Sequence, residues 1–83
     1  MKTYREIVGK KEESELIKEL INQFKKELIS AKVQEFIYEQ EYYKPTNISK
    51  AKAEEGMGIY QKRIKYLIEN IEAVEYYAKH YDL

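Results

Sequence analysis

Residues 53–81, AEEGMGIYQKRIKYLIENIEAVEYYAKHY, carry the pattern that decides the fold. Apolar or small residues recur through this stretch at intervals that alternate between four and three without a lapse. They are Ala53, Met57, Tyr60, Ile64, Leu67, Ile71, Val74, Ala78 and Tyr81. This spacing is typical of a helix that packs lengthwise against another helix. The stretch therefore predicts a long helix that needs a partner helix.

A stripe with the same spacing lies earlier in the chain, within residues 12–43, which contain no glycine or proline. Glu35 is its one charged member. The stripe consists of Ile17, Ile21, Phe24, Leu28, Ala31, Glu35, Tyr38 and Tyr42. We call each of the two stripes a seam. Residues 12–43 are thus predicted to form the partner helix, and acidic Glu12, Glu13 and Glu15 suit its N-terminus because the helix dipole favours negative charge there.

Residues 44–49 separate the two seams and contain the single proline, Pro45. Proline cannot continue a helix, and it moves the preceding residue out of the α region. Asn47 and Ser49 are both suitable N-caps for a second helix, predicted over residues 50–81. A connection this short between two long helices predicts an antiparallel helical hairpin.

Gly56 and Gly58 interrupt the predicted second helix shortly after its start, and each costs about 1 kcal/mol relative to alanine. A kink, a close contact with the partner helix and a break in the helix are all compatible with them. Because the seam keeps its phase across both glycines, we favour a continuous helix with a weak point.

The N-terminal residues 1–11 are predicted to form a short helical turn. Thr3 and Glu6 match a capping box, and Gly9 is placed to end the turn in a left-handed conformation. The predicted fold class is accordingly all-α. It is one domain over residues 1–83, a helical hairpin with a short N-terminal arm, that self-associates into a coiled-coil-like helix bundle.

Self-association is expected because the first predicted helix is apolar on two opposed sides. Its second half carries a cluster roughly opposite the seam, at about 100° per residue. The cluster consists of Ile29, Val33, Phe36 and Ile37. The second helix offers Tyr66, Ala73 and Tyr77 as possible additions. We predict that these seven residues form the oligomer interface of a dimer or larger assembly; the alternative is a well-packed monomer.

Composition narrows the classes of function. The chain has 15 basic and 15 acidic side chains and no cysteine. A balanced charge disfavours wholesale nucleic-acid binding, and disulfides cannot support the small core. No apolar run approaches the roughly 18 residues of a membrane span. A cytoplasmic protein without a membrane partner is expected.

Nine tyrosines are the one compositional oddity. Near the predicted turn, several tyrosines occur close to basic residues, and aromatic rings beside cations are able to hold a base and its phosphates. A possible site for a small anionic ligand therefore consists of Tyr42, Tyr43, Tyr60, Lys44, Lys62, Arg63 and Lys65. The alternatives for these tyrosines are a protein interface and the polar end of a helix packing layer.

No catalytic constellation or metal site is expected. His80 is the only histidine, and the residue three positions before it is Tyr77, so the Glu-x-x-His motif of bundle metal sites is absent. Gly56 and Gly58 lack the preceding strand and the third glycine of a dinucleotide loop. We expect no cofactor and no enzymatic activity.

The sequence thus favours a small non-enzymatic interaction protein that self-associates and blocks or scaffolds another protein. Its 13 lysines against 2 arginines, and 10 isoleucines against 5 leucines, suggest an AT-rich coding sequence, as in a low-GC bacterium or its phages. We therefore expect an inhibitor of phage or mobile-element type. The alternative is an oligomer that sequesters an anionic or nucleotide ligand in pockets between subunits, lined by tyrosine and lysine.

Overall fold

The computed structural model describes residues 8–83. Helix α1 spans Lys10–Tyr43 and helix α2 spans Lys50–His80, and the described residues contain no strand. The prediction of an all-α chain in which two long helices pack against each other is confirmed. α1 begins two residues before the predicted position 12, and α2 ends one residue before the predicted position 81.

Three links between the helices show that they run antiparallel. Near the chain termini, the Tyr77 hydroxyl donates to Glu13 Oε1 at 2.6 Å. At mid-length, Arg63 Nη2 lies 3.9 Å from Glu27 Oε2. Near the turn, the rings of Tyr38 and Tyr60 stack with their centroids 5.8 Å apart. Along these three contacts, the residue numbers of α1 increase while those of α2 decrease.

The two seams face each other along the whole hairpin. Every seam residue is buried or half-buried except Tyr81, which lies beyond the end of α2. Within residues 8–83, four apolar residues are buried, namely Ala31, Ala53, Leu67 and Ile71. Glu35, the charged seam position, is half-buried with its neighbours. The heptad-like spacing therefore located the contact between the helices correctly.

The start of α1 differs from the prediction. Gly9 does not end a preceding turn in a left-handed conformation, because its backbone is extended, with φ −66° and ψ 156°, and it is the N-cap of α1. The Glu13 N–H donates to the Gly9 carbonyl oxygen at 2.8 Å, which closes the first helical turn. The predicted capping box of Thr3 and Glu6 lies outside the described residues.

The turn between the helices is organised by the carboxylate of Glu41. Its Oε2 accepts from the backbone N–H groups of Thr46 at 2.9 Å and Asn47 at 3.2 Å, and its Oε1 accepts from the Thr46 hydroxyl at 2.6 Å. These bonds favour the ionised form, with the Thr46 hydroxyl contributing most, and hold the pKa of Glu41 below its ordinary value. Asn47 thereby serves the turn, and Ser49 is the cap of α2: its hydroxyl oxygen accepts from Lys52 N–H at 3.2 Å.

Helix α2 continues through both glycines, and one of them makes a close contact with α1. Gly56 is buried, and a Cβ added to it would lie 2.5 Å from Tyr38 Cδ1 and 2.7 Å from Tyr38 Cγ. The ring of Tyr38 therefore lies against the bare backbone at Gly56 and stacks on Tyr60, one turn further along α2. A Cβ at Gly58 would meet nothing within 4 Å. The glycines thus differ in role although they are two residues apart.

The hairpin is a rod rather than a globule. Its radius of gyration is 18.2 Å, against about 12 Å for a compact domain of this length, and its long axis measures 56 Å. Each helix has one long neighbour, so each buries one stripe. Thirteen large apolar or aromatic side chains among the described residues remain exposed.

Gly56 and Gly58 provide a matched pair of substitutions. Gly56→Ala should lower the free energy of unfolding by about 1–3 kcal/mol, because the new methyl group overlaps the Tyr38 ring. Gly58→Ala should raise it by up to about 1 kcal/mol, because alanine favours the helix and the site is open. Chemical denaturation measures both. In a Tyr38→Ala background the cost of Gly56→Ala should shrink; an equal cost in both backgrounds would contradict the contact.

The pKa of Glu41 predicts a pH-dependent contribution to stability. Because this pKa is lower in the folded chain, the stabilisation is fully present above the ordinary glutamate pKa of 4.5 and is lost as the pH falls through the folded value. The wild type should therefore have a higher melting temperature than Glu41→Gln at neutral pH. The difference between the two melting temperatures should narrow below pH 4.5.

Thr46→Ala is the companion variant for this measurement, because it removes the hydroxyl that contributes most to the shift. It should weaken the pH dependence of the melting temperature while leaving Glu41 in place. If the melting temperatures of the wild type and Glu41→Gln differ by the same amount at neutral and acid pH, the hydrogen bonds of Glu41 in the turn would be contradicted.

Candidate functional site

One exposed apolar surface lies on α1, on the side that faces away from α2. It consists of Ile29, Val33 and Phe36, whose side chains are 60%, 51% and 59% exposed. We call these three residues the ridge. Ile29 also lines a shallow depression with Asn22, Lys25 and Lys26, so lysine stems and amines border the apolar surface.

A second apolar surface is the groove between the helices near the chain termini. It has a volume of about 350 Å³. It is lined by Ile17 and Leu20 from α1 and by Asn70, Ala73, Val74 and Tyr77 from α2. We call this surface the groove. Leu16, 46% exposed, lies one turn before Leu20 and extends the apolar surface along α1.

The wall of the groove is fixed by a hydrogen bond between the helices. Glu13 is 3% exposed, and its Oε1 accepts from the Tyr77 hydroxyl at 2.6 Å. A buried carboxylate is costly unless polar partners replace the water it has lost. Tyr77 therefore stabilises the hairpin through its hydroxyl, and the residue is 38% exposed.

The residues predicted as an oligomer interface fall on different surfaces. Ala73 and Tyr77 line the groove, and Tyr66, 52% exposed, lies two turns before Ala73 on the same side of α2. Ile29, Val33 and Phe36 form the ridge. Ile37 lies nearer the turn, where it lines a depression with Gln34, Tyr38, Glu41, Asn47 and Ile48. The single patch expected from the sequence is therefore two surfaces separated by the body of α1.

The residues predicted to bind an anionic ligand also separate. At the turn, the rings of Tyr42 and Tyr43 lie edge to face with centroids 5.2 Å apart, and Lys50 Nζ lies 4.6 Å from the centre of the Tyr42 ring. Lys44 is the C-cap of α1, and its N–H donates to the Gln40 carbonyl oxygen. Tyr60 is not part of this cluster, because its ring stacks on Tyr38, one turn before Tyr42.

The basic members of that predicted site on α2 lie on two sides of the helix. Arg63 lies 3.9 Å from Glu27 and 5.4 Å from the centre of the Tyr66 ring. Lys62 and Lys65 are exposed neighbours, three residues apart, on a side of α2 that faces away from Arg63. The seven residues thus occupy three settings, namely the turn, the seam and the surface of α2, instead of one pocket.

His80 lies among aromatic rings at the end of α2. Its ring stacks on Tyr76 at 6.3 Å and meets Tyr81 edge to face at 4.8 Å. Among residues 8–83 there is no group of three or more histidine, aspartate or glutamate side chains placed to hold a metal ion. Neither α1 nor α2 is long and apolar enough to cross a membrane.

The prediction from the sequence does not include the α1 side of the groove. Leu16 and Leu20 belong neither to the seam of α1 nor to the cluster opposite it. The signal that finds them is a run with the same alternating spacing, displaced by one residue from the seam. Ile59, 58% exposed, belongs to the corresponding run on α2.

The hydrogen bond at the groove wall predicts different effects for two adjacent tyrosines. Tyr77→Phe should lower the free energy of unfolding by about 1–3 kcal/mol, because it removes the donor to a buried carboxylate. Tyr76→Phe is the matched control: Tyr76 is 73% exposed, and its loss of a hydroxyl should change stability little. Equal melting temperatures for the two variants would argue against the Tyr77–Glu13 bond.

No protein-family model, curated protein or solved structure matches the chain. The function is accordingly inferred from the exposed residues of the hairpin and from their chemistry.

Proposed function

We propose that this chain is a small non-enzymatic helical interaction protein that associates with itself and binds a partner protein. The observation that carries the proposal is the presence of two separate exposed apolar surfaces, the groove and the ridge, on a rod of two helices. One surface is used between copies of the chain, and the other remains for the partner.

The amount of exposed apolar surface supports association. Four apolar side chains are buried within residues 8–83, whereas thirteen large apolar or aromatic ones are exposed. Contiguous apolar patches of more than a few hundred Å² are rare on monomeric proteins and mark interaction sites. A chain of 83 residues without cysteine also gains stability most readily by burying more surface against a second subunit.

The form of the surfaces favours a protein as the partner. A helix that offers apolar side chains at intervals of three and four residues is suited to an apolar groove or another helix on a protein. Ile29, Val33 and Phe36 have this spacing. A helix bound to such a site would block the partner protein there. A chain that binds two such proteins at once would hold them together. Both modes are expected for a product of phage or mobile-element type.

The alternative of an anionic-ligand binder has less support. The tyrosines and basic residues proposed for it lie in three settings, and Arg63 already lies beside the Glu27 carboxylate. The groove is lined by apolar side chains, apart from the Asn70 amide and the hydroxyl of Tyr77. The four basic residues of the predicted site are therefore not brought together at one point.

Self-association predicts a mass above that of the single chain. In sedimentation or light scattering, the wild type should exceed 10.0 kDa, and its melting temperature should rise with concentration, because dissociation is coupled to unfolding. The measurement should cover about a hundredfold range of concentration so that the mass-action shift is visible. A particle of 10.0 kDa with a constant melting temperature across that range would overturn the proposal.

A further inference from the structure

We propose that a second copy of this chain occupies the groove in an antiparallel orientation and completes a four-helix bundle, with the ridge left outside. This inference rests on the proposed self-association and adds which surface is used and how the copies are arranged. It follows from a second stripe on each helix, from the distribution of charge between the two sides of the hairpin, and from the charge along its length.

Helix α2 carries a second stripe displaced by one residue from its seam. Its intervals again alternate between four and three over eight positions. These are Lys52, Gly56, Ile59, Arg63, Tyr66, Asn70, Ala73 and Tyr77. Each lies one residue before a seam position, about 100° around the helix. A helix in a four-helix bundle contacts two neighbours in roughly perpendicular directions, so two adjacent stripes are the pattern expected of such a helix.

Helix α1 carries the equivalent second stripe. It consists of Leu16, Leu20, Gln23, Glu27, Ser30, Gln34, Ile37 and Glu41. The structure brings the two second stripes to the same side of the hairpin. Leu20 of one stripe and Ala73 and Tyr77 of the other line the groove together, and Glu27 lies 3.9 Å from Arg63. We call this side of the hairpin the groove side.

The opposite side of the hairpin consists of the positions one residue after each seam position, and we call it the charged side. Nine of its sixteen residues are charged. These are Lys18, Lys25, Lys32, Glu39, Glu54, Lys65, Glu72, Glu75 and Lys79. It also contains Ile29 and Phe36 of the ridge.

The groove side has four charged residues among its sixteen, and they are Glu27, Glu41, Lys52 and Arg63. Glu27 and Arg63 lie beside each other, and Glu41 is bonded to the turn. Lys52, the fourth charged residue, lies at the turn end of the second stripe of α2. Covering the charged side with another protein would remove water from nine charges, each at a cost unless it is paired. Covering the groove side buries, besides its four charged residues, the uncharged polar side chains of Gln23, Ser30, Gln34 and Asn70 and the apolar or aromatic ones of Leu16, Leu20, Ile37, Ile59, Tyr66, Ala73 and Tyr77. The groove side is therefore the surface that a second copy covers at the lower desolvation cost.

Charge along the hairpin sets the orientation. At the turn end, residues 28–65 of the two helices and the turn contain seven basic and five acidic side chains. At the terminal end, residues 8–27 and 66–83 together contain six basic and nine acidic side chains. An antiparallel arrangement places the basic half of one copy beside the acidic half of the other, and a parallel one places like charges together. Complementary charge of this kind selects the orientation more than it strengthens binding.

The apolar residues agree with this orientation. Leu16, Leu20 and Ala73 lie towards the terminal end of the groove side, and Ile37 and Ile59 lie towards the turn end. With a two-fold axis near mid-length, the terminal end of the groove side on one copy lies against the turn end on the other copy. The Glu27–Arg63 pair of each copy then lies close to the axis. The same patch is then buried on both copies, as two-fold symmetry requires.

A pair of identical substitutions on α2 tests the surface. Ala73→Glu places a charge in the groove on an exposed position and leaves the seam intact. It should raise the dissociation constant of the dimer by about tenfold or more, because the carboxylate is buried without a partner. Ala51→Glu adds the same charge at an exposed position outside the stripe and should leave the mass unchanged. Phe36→Glu on the ridge should also leave it unchanged.

The orientation is tested without disturbing the groove. The chain has no cysteine, so Lys44→Cys offers one site for a spin label, at the turn end. In an antiparallel dimer the two labels should be separated by about 45 Å, the length of a 31-residue helix at about 1.5 Å per residue. In a parallel dimer the labels lie beside each other. This measurement uses the intact groove, so it remains decisive if Ala73→Glu fails to fold.

The outcomes separate this inference from the proposed function. An oligomer that dissociates with Phe36→Glu but not with Ala73→Glu would overturn the groove as the interface and keep self-association. A short distance between labels would overturn the antiparallel orientation. A wild-type chain that is monomeric throughout would remove the proposed function and this inference together. Loss of mass in Ala73→Glu alone, with a long label distance, is the result we expect.

Discussion

The structure depends on a geometric constraint: a helix with a single long neighbour buries a single stripe of side chains. In this hairpin the two seams cover each other from Ile17 and Val74 near the termini to Tyr42 and Ala53 near the turn. Every other apolar side chain of the two helices remains at the surface or at the margin of the contact. The chemistry of those remaining side chains therefore decides what the protein is able to do.

Near the turn, small residues of α2 lie against α1. Tyr38 lies against Gly56, and Ala53 is fully buried. Glycine destabilises an isolated helix, and its presence at position 56 is explained by a contact in which an added Cβ would overlap the Tyr38 ring. Gly58 has no such explanation in the hairpin, since the space around it is open. Position 58 lies on the charged side.

The sequence predicted the helices, the turn and their mutual contact because all three follow from local patterns. Alternating intervals of four and three specify which side of each helix is covered, and Pro45 specifies where the chain must reverse. The left-handed Gly9 was wrong because the same residue is equally able to precede a helix, and a sequence does not show on which side of a glycine the helix lies. The choice between Asn47 and Ser49 as cap depended on Glu41, whose carboxylate binds the Asn47 N–H across the turn.

The surfaces were harder to predict than the contact, because their arrangement depends on both helices at once. Ile29, Val33 and Phe36 were found by considering α1 alone, which reveals a side opposite the seam but not what α2 places next to it. In an antiparallel pair, the residues that come one position before each seam residue lie on the same side of the hairpin in both helices. Leu20 and Ala73 therefore meet across the groove although they are 53 positions apart. A helical wheel of each helix separately shows two stripes with no visible relation. In the hairpin the two stripes lie side by side and form one surface. Their apolar residues together are therefore a candidate interface.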